Sequence, residues 1–276
     1  MVYHIMNRFI NIILLVVFCF IFNSCTKAQT QYERKYKLVW SDEFDDKSID
    51  TSSWSFMKRI PYSCGQYWSS NSSLYKVGKG RIRLYAKRNN MIEQHDTAHY
   101  LTAAISTEHK RTIKYGKIEV RAKVKGAIGS WPAIWTLRED GQNDVKSPRY
   151  AEIDLMEYLD RNDFAYQTVH TAFTLKNKKF KNQVQSKIVY EKYNVYTVEI
   201  LPDAVICGVN GKDTFIYTKD STELNESQFP FGIACYLMID MQVGTTSTNS
   251  WIKKVDPKSY PAYMDIDYVR FYDFVQ

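Results

Sequence analysis

Apolar and polar residues alternate with a period of two along several stretches of this chain. The alternation is clearest over residues 81–86, 117–124 and 265–271. Because successive side chains of a β-strand point to opposite faces of the sheet, this pattern predicts half-buried strands. The pair Asn210-Gly211 is a strong hairpin signal, since both residues tolerate a positive φ. No long stretch keeps the 3.6-residue apolar period of an amphipathic helix, so we expect an all-β protein.

The length of the chain limits how these strands are arranged. An N-terminal segment, described below, is set apart from the 276 residues, and residues 37–276 remain for folding. A segment of that length suffices for one domain with a large core. The sequence shows no internal repeat and no sign of a second domain. Many antiparallel strands in one unit predict a sandwich of two sheets, each burying one face against the other.

The N-terminal segment has the features of a bacterial lipoprotein signal. Residues 9–22 form an apolar run that is short for a membrane span and has the length of a secretory signal. The pair Ser24-Cys25 then resembles a lipobox, in which cleavage falls before the cysteine and the new N-terminal residue receives lipid. We therefore predict a signal over residues 1–24, lipidation of Cys25 and a tether over residues 25–36. An ordinary signal peptide with an incidental cysteine is the alternative.

If this prediction holds, the protein is attached to the bacterial cell envelope, at the outer membrane, through its lipid alone. The formal net charge of +7 is concentrated between Lys176 and Lys187, a stretch that contains five lysines. A solvated loop explains this run, and so does contact with an anionic glycan. Nucleic-acid partners are not expected, because the chain is exported and carries no known motif that reads DNA or RNA.

Three of the five cysteines remain once the signal segment and Cys25 are set aside. The spacing of Cys64, Cys207 and Cys235 fits no zinc site, and three thiols allow at most one disulfide. We expect all three to be buried and unpaired. No cofactor and no catalytic metal are predicted, although a structural calcium ion would be compatible with the sequence.

The most informative stretch holds three carboxylates within six residues. In a regular strand Glu152 and Asp154 share one face, whereas Glu157 points to the other. One extra residue around Leu155-Met156, a β-bulge, would bring all three carboxylates to the same face. Two such carboxylates suit a retaining glycosidase, in which one attacks the anomeric carbon and the other protonates the leaving oxygen. A solvent-facing acidic strand and a calcium site are the alternatives, but adjacent like charges destabilise a bare strand.

Two tryptophans precede the acidic stretch. Trp131 and Trp135 are four residues apart and share one face if the strand is regular. Flat aromatic rings bind the apolar C–H faces of sugars, so this pair suggests a wall or floor of a glycan cleft. A place in the hydrophobic core is the alternative.

Taken in order, these motifs resemble glycoside hydrolase family 16, the group of laminarinases, agarases and carrageenases, in its bulged form. The similarity spans roughly residues 37–273, and the segments that carry it are 38–45, 115–121, 152–157, 168–171 and 265–272. The resemblance implies a concanavalin-like jelly roll, with a catalytic domain over residues 37–276. It also implies a retaining endo-β-glycosidase that acts as a monomer on a polysaccharide or other glycan.

The resemblance assigns roles to individual residues as well. It implies that Glu152 is the nucleophile, Glu157 the acid/base and Asp154 their assistant. It places Trp131 and Trp135 in the substrate cleft and His170 beside the acid/base.

Two segments depart from the pattern of the glucan-cleaving members. Residues 147–151 (SPRYA) stand where those members commonly have Trp-Pro and a glycine, and residues 243–246 (VGTT) replace a double glycine. Both changes argue against laminarin. The run over residues 157–170 looks closer to members that cut galactose-containing chains, host O-glycans included. A β-1,3- or mixed-linkage endo-glucanase and a non-catalytic glycan-binding lipoprotein are the alternatives.

Overall fold

A computed structural model describes residues 34–90, 95–178, 180–220, 226–245, 248 and 250–275. The signal segment, Cys25 and most of the tether lie outside this range. The strands found in the described part are β1 (Lys35–Asp42), β2 (Ser55–Phe56), β3 (Tyr75–Val77), β4 (Ile82–Arg88), β5 (Tyr100–Thr102), β6 (Ala104–Ser106), β7 (Thr112–Ile113), β8 (Gly116–Lys125), β9 (Ala133–Arg138), β10 (Ala151–Glu157), β11 (Phe164–Thr171), β12 (Gln183–Lys187), β13 (Asn194–Ile200), β14 (Ala204–Val209), β15 (Lys212–Thr218), β16 (Cys235–Asp240) and β17 (Ala262–Val275). A five-residue helix, α1 (Ala172–Lys176), follows β11.

The strands form two antiparallel sheets. One sheet has the order β15-β14-β13-β8-β17-β4-β3, with β1 beside β17 and β5 beside β4. The other has the order β12-β11-β10-β9-β16-β6-β2, with β7 beside β16. We call them the β8 sheet and the β10 sheet. This arrangement confirms the predicted all-β sandwich of two sheets.

The three alternating segments of the sequence all form strands of the β8 sheet: β4, β8 and β17. In β8 every second residue from Gly116 to Val124 is buried, and the intervening polar residues are half-buried on the opposite face. The predicted hairpin joins β14 to β15, and its turn residues Asn210 and Gly211 have φ angles of 51° and 77°. Local alternation and turn chemistry were therefore sufficient to locate these strands.

The hydrophobic core lies between the two sheets. Ile118 and Val120 of β8 and Ile153 and Leu155 of β10 belong to one buried cluster and are fully inaccessible to solvent. Complete burial of such a side chain stabilises the folded state by about 1.5–3 kcal/mol. The core thus fixes which face of β10 points inward, and the polar residues of β10 must occupy the other face.

The predicted β-bulge is present in β10. Against β11, Asp154 pairs with Thr168 and Glu157 pairs with Tyr166, so three residue steps on β10 match two on its neighbour. The register against β9 shifts at the same place. Leu155 and Met156 both enter the core. As a result Glu152, Asp154 and Glu157 line the same face of the β10 sheet, which we call the site face.

Residues of the neighbouring strands complete the site face in regular rows. Each carboxylate residue of β10 has one partner on β11 and one on β9, and each β9 partner has one on β16. In the order Glu152, Asp154, Glu157 these are His170, Thr168 and Tyr166 of β11, Leu137, Trp135 and Ala133 of β9, and Tyr236, Met238 and Asp240 of β16. Several of them form a small apolar cluster separate from the main core, together with Trp68 and Ala104. The site face is therefore a packed layer of its own and not a bare sheet surface.

Three other features bear on the sequence predictions. Cys64, Cys207 and Cys235 are unpaired, as expected, but Cys64 is half-buried and the other two are buried. None of the helices in the described ranges has both the length and the apolar character needed to cross a bilayer. The lysine-rich run is divided between the end of α1, a loop and the edge strand β12, and position 179 lies outside the described residues.

Candidate active site

Glu157 occupies the end of β10 where the strand leaves the sheet. Its side chain accepts hydrogen bonds from Trp131 Nε1 at 3.1 Å and from Thr168 Oγ1 at 3.4 Å. Glu157 is 6 % exposed. Burial, followed by the charge of Glu152, raises the pKa of Glu157 well above that of a free glutamate. This carboxyl group is therefore suited to hold a proton near neutral pH.

Glu152 lies at the other end of the row and has a different partner. The phenol hydroxyl of Tyr150 donates a hydrogen bond to Glu152 Oε2 at 2.5 Å. Burial raises the pKa of Glu152, and the bond from Tyr150 opposes that rise because it stabilises the charged carboxylate. The two glutamates thus share one strand face but differ in their nearest donors.

Asp154 sits between the glutamates and is buried. Its pKa is raised by burial first and then by the charges of Glu157 and Glu152. Asp154 Oδ2 has no hydrogen-bond partner among the described residues. Because Glu152 raises the pKa of both Asp154 and Glu157, and Glu157 raises that of Asp154, the three carboxyls cannot all ionise at little cost, and the group retains a proton.

His170 approaches Asp154 without forming an ion pair. Its Nε2 lies 3.4 Å from Asp154 Oδ2. Burial, reinforced by the charge of Lys178, lowers the pKa of His170 to about 4, so the imidazole is neutral at pH 7. The resemblance implied that His170 lies beside the acid/base, and this role stays a prediction. In the β10–β11 register His170 is opposite Glu152, and Tyr166 is opposite Glu157.

The two tryptophans singled out in the sequence occupy different environments. Trp131 precedes β9, is half-buried and packs edge-on against Trp251 with ring centroids 4.7 Å apart. Trp251 also contacts the ring of Tyr166 at 5.8 Å. We call Trp131, Trp251 and Tyr166 the aromatic wall. It stands beside Glu157, because Trp131 donates to that carboxyl group and Tyr166 pairs with it.

Trp135 lies in the packed layer of the site face. It is 8 % exposed, and its Nε1 donates to Asp240 Oδ1 at 3.2 Å. Trp68 Nε1 donates to the other oxygen of Asp240 at 2.9 Å. Burial raises the pKa of Asp240 to about 7. Asp240 is thus a fourth carboxyl of the site, and it holds two indoles in place. The predicted contact of Trp135 with substrate stays a prediction.

Glu152, Asp154 and His170 also bring three potential donor atoms within 4.8 Å of one another. Calcium, the ion considered from the sequence, takes six to eight oxygen ligands, and two carboxylates with one imidazole do not provide that set. One carboxyl that keeps a proton beside another that accepts a phenol hydrogen bond is instead the arrangement used in acid–base and nucleophilic chemistry.

Comparison with known proteins agrees with this geometry. The model of "Glycosyl hydrolases family 16" matches residues 65–270. The chain belongs to glycosyl hydrolases family 16. Its two-sheet architecture is accordingly the jelly roll of that family.

Several family 16 proteins can be compared over most of this chain. A keratan-sulfate endo-1,4-beta-galactosidase of Sphingobacterium multivorum is 29 % identical to this chain. The alignment covers 91 % of this chain and 57 % of that protein. A beta-glucanase of Rhodothermus marinus is 28 % identical, with 87 % of this chain and 86 % of that protein covered. The laminarinase structure from Rhodothermus marinus superposes with a TM-score of 0.77 at 27 % identity and covers 88 % of this chain and all of that one.

Some residues of this family 16 site were not found from the sequence. Asp240 and Trp68 come from distant strands and loops, and only the sheet register brings them under Trp135. Trp251 lies in an irregular segment with no periodic pattern. Tyr150 did carry a signal, since it falls in the segment that departs from the family pattern and is two residues before Glu152.

Proposed function

We propose that the protein is a retaining endo-β-glycosidase in which Glu152 is the nucleophile and Glu157 the acid/base. The observation that carries this proposal is the bulged strand, which puts both glutamates on the site face with different partners. Glu152 accepts a phenol hydrogen bond that favours its anion, and burial beside Glu152 favours the protonated form of Glu157. Each state is the one that its role requires.

The reaction follows from these states. The Glu152 carboxylate attacks the anomeric carbon while Glu157 gives its proton to the leaving glycosidic oxygen, so the C–O bond breaks and a glycosyl ester forms on Glu152. Glu157, now ionised, removes a proton from water, and the resulting hydroxide attacks the same carbon and releases Glu152. Asp154 lies between the two glutamates, and its raised pKa lets it keep a proton of its own while Glu157 gives up one proton and then regains one from water.

Substitution of the two glutamates tests the proposal. Glu152→Gln and Glu157→Gln should each reduce hydrolysis by about a hundredfold or more, because one removes the nucleophile and the other the acid. Glu119→Gln is the matched control, since Glu119 is a largely covered glutamate in strand β8 of the other sheet. Near-normal turnover in either site variant, with melting temperatures unchanged, would contradict the assignment. Proton NMR of the first product should show the β-anomer.

For the substrate we propose a galactose-containing glycan, anionic polymers included. The similarity to the keratan-sulfate endo-1,4-beta-galactosidase supports this proposal. The lysine-rich run supports it too, because the charge of Lys178 reaches His170 at the nucleophile end of the site. The similarity to the beta-glucanase and to the laminarinase structures favours the alternative, a β-1,3- or mixed-linkage glucanase. The assay must therefore compare both classes of polymer.

The lysine contribution can be measured directly. We expect the Lys178→Gln/Lys181→Gln double variant to lose cleavage of keratan sulfate by about three- to tenfold at low salt, with the difference shrinking as salt screens charge over about 8–10 Å. Lys212→Gln/Lys219→Gln is the control, since these exposed lysines lie at the start of β15 and just after its end, in the other sheet. Equal kinetics of the two double variants would show that the run is a solvated surface. Strong, salt-insensitive cleavage of laminarin would contradict the substrate proposal.

We further propose that the enzyme acts as a monomer held at the cell envelope by lipid on Cys25, with a glycan as its only substrate partner. The apolar run and the lipobox-like pair Ser24-Cys25 support this placement.

A further inference from the structure

The segment that leads into β10 departs from the glucanase pattern and is held firmly in place. The backbone N–H of Tyr150 donates to Ser147 O at 3.1 Å, and its carbonyl accepts from the N–H of Ala172 at 3.3 Å. Arg138, which is 4 % exposed, donates to the carbonyl of Arg149 at 3.0 Å and to that of Pro230 at 2.9 Å. The carbonyls of Arg149 and Tyr150 are therefore fixed by Arg138 and Ala172, which lie outside the segment, and the N–H of Tyr150 is fixed by a turn within it.

This anchoring determines where the Tyr150 side chain points. Tyr150 and Glu152 are two residues apart, so in extended chain they share a face. The phenol is 5 % exposed, and its hydroxyl donates to Glu152 Oε2 at 2.5 Å. A hydrogen bond from a neutral donor to a carboxylate is shorter and stronger than one between neutral groups. No other hydrogen bond to the Glu152 carboxyl is found among the described residues.

We propose that Tyr150 is a positioning residue for the nucleophile: its phenol holds one oxygen of Glu152 and leaves the other for the anomeric carbon. The inference rests on the proposed role of Glu152. A glutamate with one bonded oxygen keeps a fixed rotation of its carboxylate plane, so the attacking oxygen does not have to be oriented in each turnover. Removal of the hydroxyl should then affect the chemical step more than substrate binding.

The groups that face Glu152 determine how its pKa responds when the Tyr150 hydrogen bond is lost. They are Asp154 and Glu157 of β10, His170 of β11, Asp240 and Tyr236 of β16, and Cys64 of the loop between β2 and β3. His170 is neutral at pH 7, and no cation lies among the others. Burial raises the pKa of Glu152 and the Tyr150 bond lowers it. Without that bond, Glu152 should become protonated at a higher pH.

The test compares Tyr150→Phe with Tyr217→Phe. Tyr217 of β15 in the other sheet is 1 % exposed and donates its hydroxyl to Gln228 O at 2.6 Å, so this control also removes a buried hydroxyl, one that makes no hydrogen bond to the site carboxyls. In Tyr150→Phe we expect kcat at pH 6 to fall by about tenfold or more, with KM within about twofold. The acid limb of the kcat/KM profile should move up by about one pH unit, because the free nucleophile titrates there. Tyr217→Phe should leave the limb in place.

A second measurement needs no substrate. Infrared titration of the carboxyl C=O band, with Glu152→Gln to assign the Glu152 component, should show that component titrating at higher pH in Tyr150→Phe than in the wild type. An unchanged band together with an unchanged acid limb would overturn the inference and leave the glycosidase proposal standing. If the wild type cleaves none of keratan sulfate, laminarin and mixed-linkage glucan, the proposed function fails, and the infrared shift still decides whether Tyr150 holds Glu152.

Discussion

At the scale of single residues, the partners of a buried carboxyl separate structural groups from those that carry chemistry. Asp154 and Asp265 are both almost completely buried on strands. Asp265 is held by cations: Arg83 donates to both of its oxygens at 2.5 and 2.8 Å, and Lys123 Nζ lies 3.3 Å away. Asp154 has carboxylates and a neutral imidazole around it instead. The cations around Asp265 stabilise its charged form, whereas the surroundings of Asp154 favour its protonated form.

This difference predicts opposite effects of the same substitution. The pKa of Asp154 is raised in the folded state, so the folded protein binds a proton more tightly than the unfolded chain, and stability falls as pH rises above the ordinary aspartate pKa. Asp154→Asn should therefore raise the melting temperature at pH 8, by about 2–4 °C per kcal/mol, and the gain should vanish towards pH 4. Calorimetry across this pH range is the measurement.

The matched control is Asp265→Asn. Because it removes a buried charge that holds Arg83 and Lys123, it should lower the melting temperature at neutral pH. If Asp154→Asn is also destabilising at pH 8, Asp154 is ionised and paired in the native enzyme. The proton-storage role would then be wrong.

At the scale of elements, the end of β10 holds two loops together. Asp160, three residues after Glu157, accepts the N–H of Gly129 at 2.6 Å and that of Lys253 at 3.3 Å. Gly129 leads to Trp131, and Lys253 lies two residues after Trp251. The buried carboxylate of Asp160 thus fixes the backbone close to Trp131 and Trp251, two of the three residues of the aromatic wall.

We expect Asp160→Gly to loosen this wall. Asp160 has a φ of 56°, which glycine adopts without strain, so the substitution removes the acceptor and spares the backbone. Loss of partners for two backbone N–H groups should cost about 1–3 kcal/mol each and raise KM. Asp160→Asn tolerates the same φ and keeps one of the two acceptor oxygens, so its effect in thermal melts and kinetics should lie between that of Asp160→Gly and the wild type. If the two variants behave alike, the carboxylate does not brace the wall.

The elements also show why some features were predictable from sequence. Strand alternation, the Asn210-Gly211 turn and the bulge depend on residues a few positions apart, and the structure has all three. The pairing of His170 with Glu152 depends on the register between two strands, which no local pattern specifies. The position of His170 was implied only by the family resemblance, and its partner could be read only from the folded sheet.

At the scale of the whole molecule, the sandwich separates stability from chemistry. The main core lies between the sheets, whereas the site face has its own packed layer around Trp135. The Asp240 bonds to Trp68 and Trp135 join residues up to 172 positions apart in the sequence. Such contacts exist only once β9 and β16 have paired and the loop that carries Trp68 has packed against them, which is why composition and motifs could not reveal them.

Attachment of the whole molecule gives a separate prediction. Since lipid on Cys25 would be the anchor, Cys25→Ala should move the protein from the membrane fraction to the soluble fraction of fractionated cells. Cys64→Ala is the control, because it removes a half-buried thiol of the folded domain and should leave the distribution unchanged. A Cys25→Ala protein that still sediments with membranes would refute lipidation as the anchor.

The bulge in β10 has a consequence for how this strand tolerates insertions and deletions. With two core residues between Asp154 and Glu157, or with one, the three carboxylates stay on the same side of the sheet. Loss of either Leu155 or Met156 would only turn a kinked strand into a straight one. Loss of Ile153 would send Glu152 and Asp154 to opposite sides. The strand can therefore gain or lose one residue between Asp154 and Glu157 while all three carboxylates stay on the site face, so each sequence along such a change keeps its catalytic carboxylates.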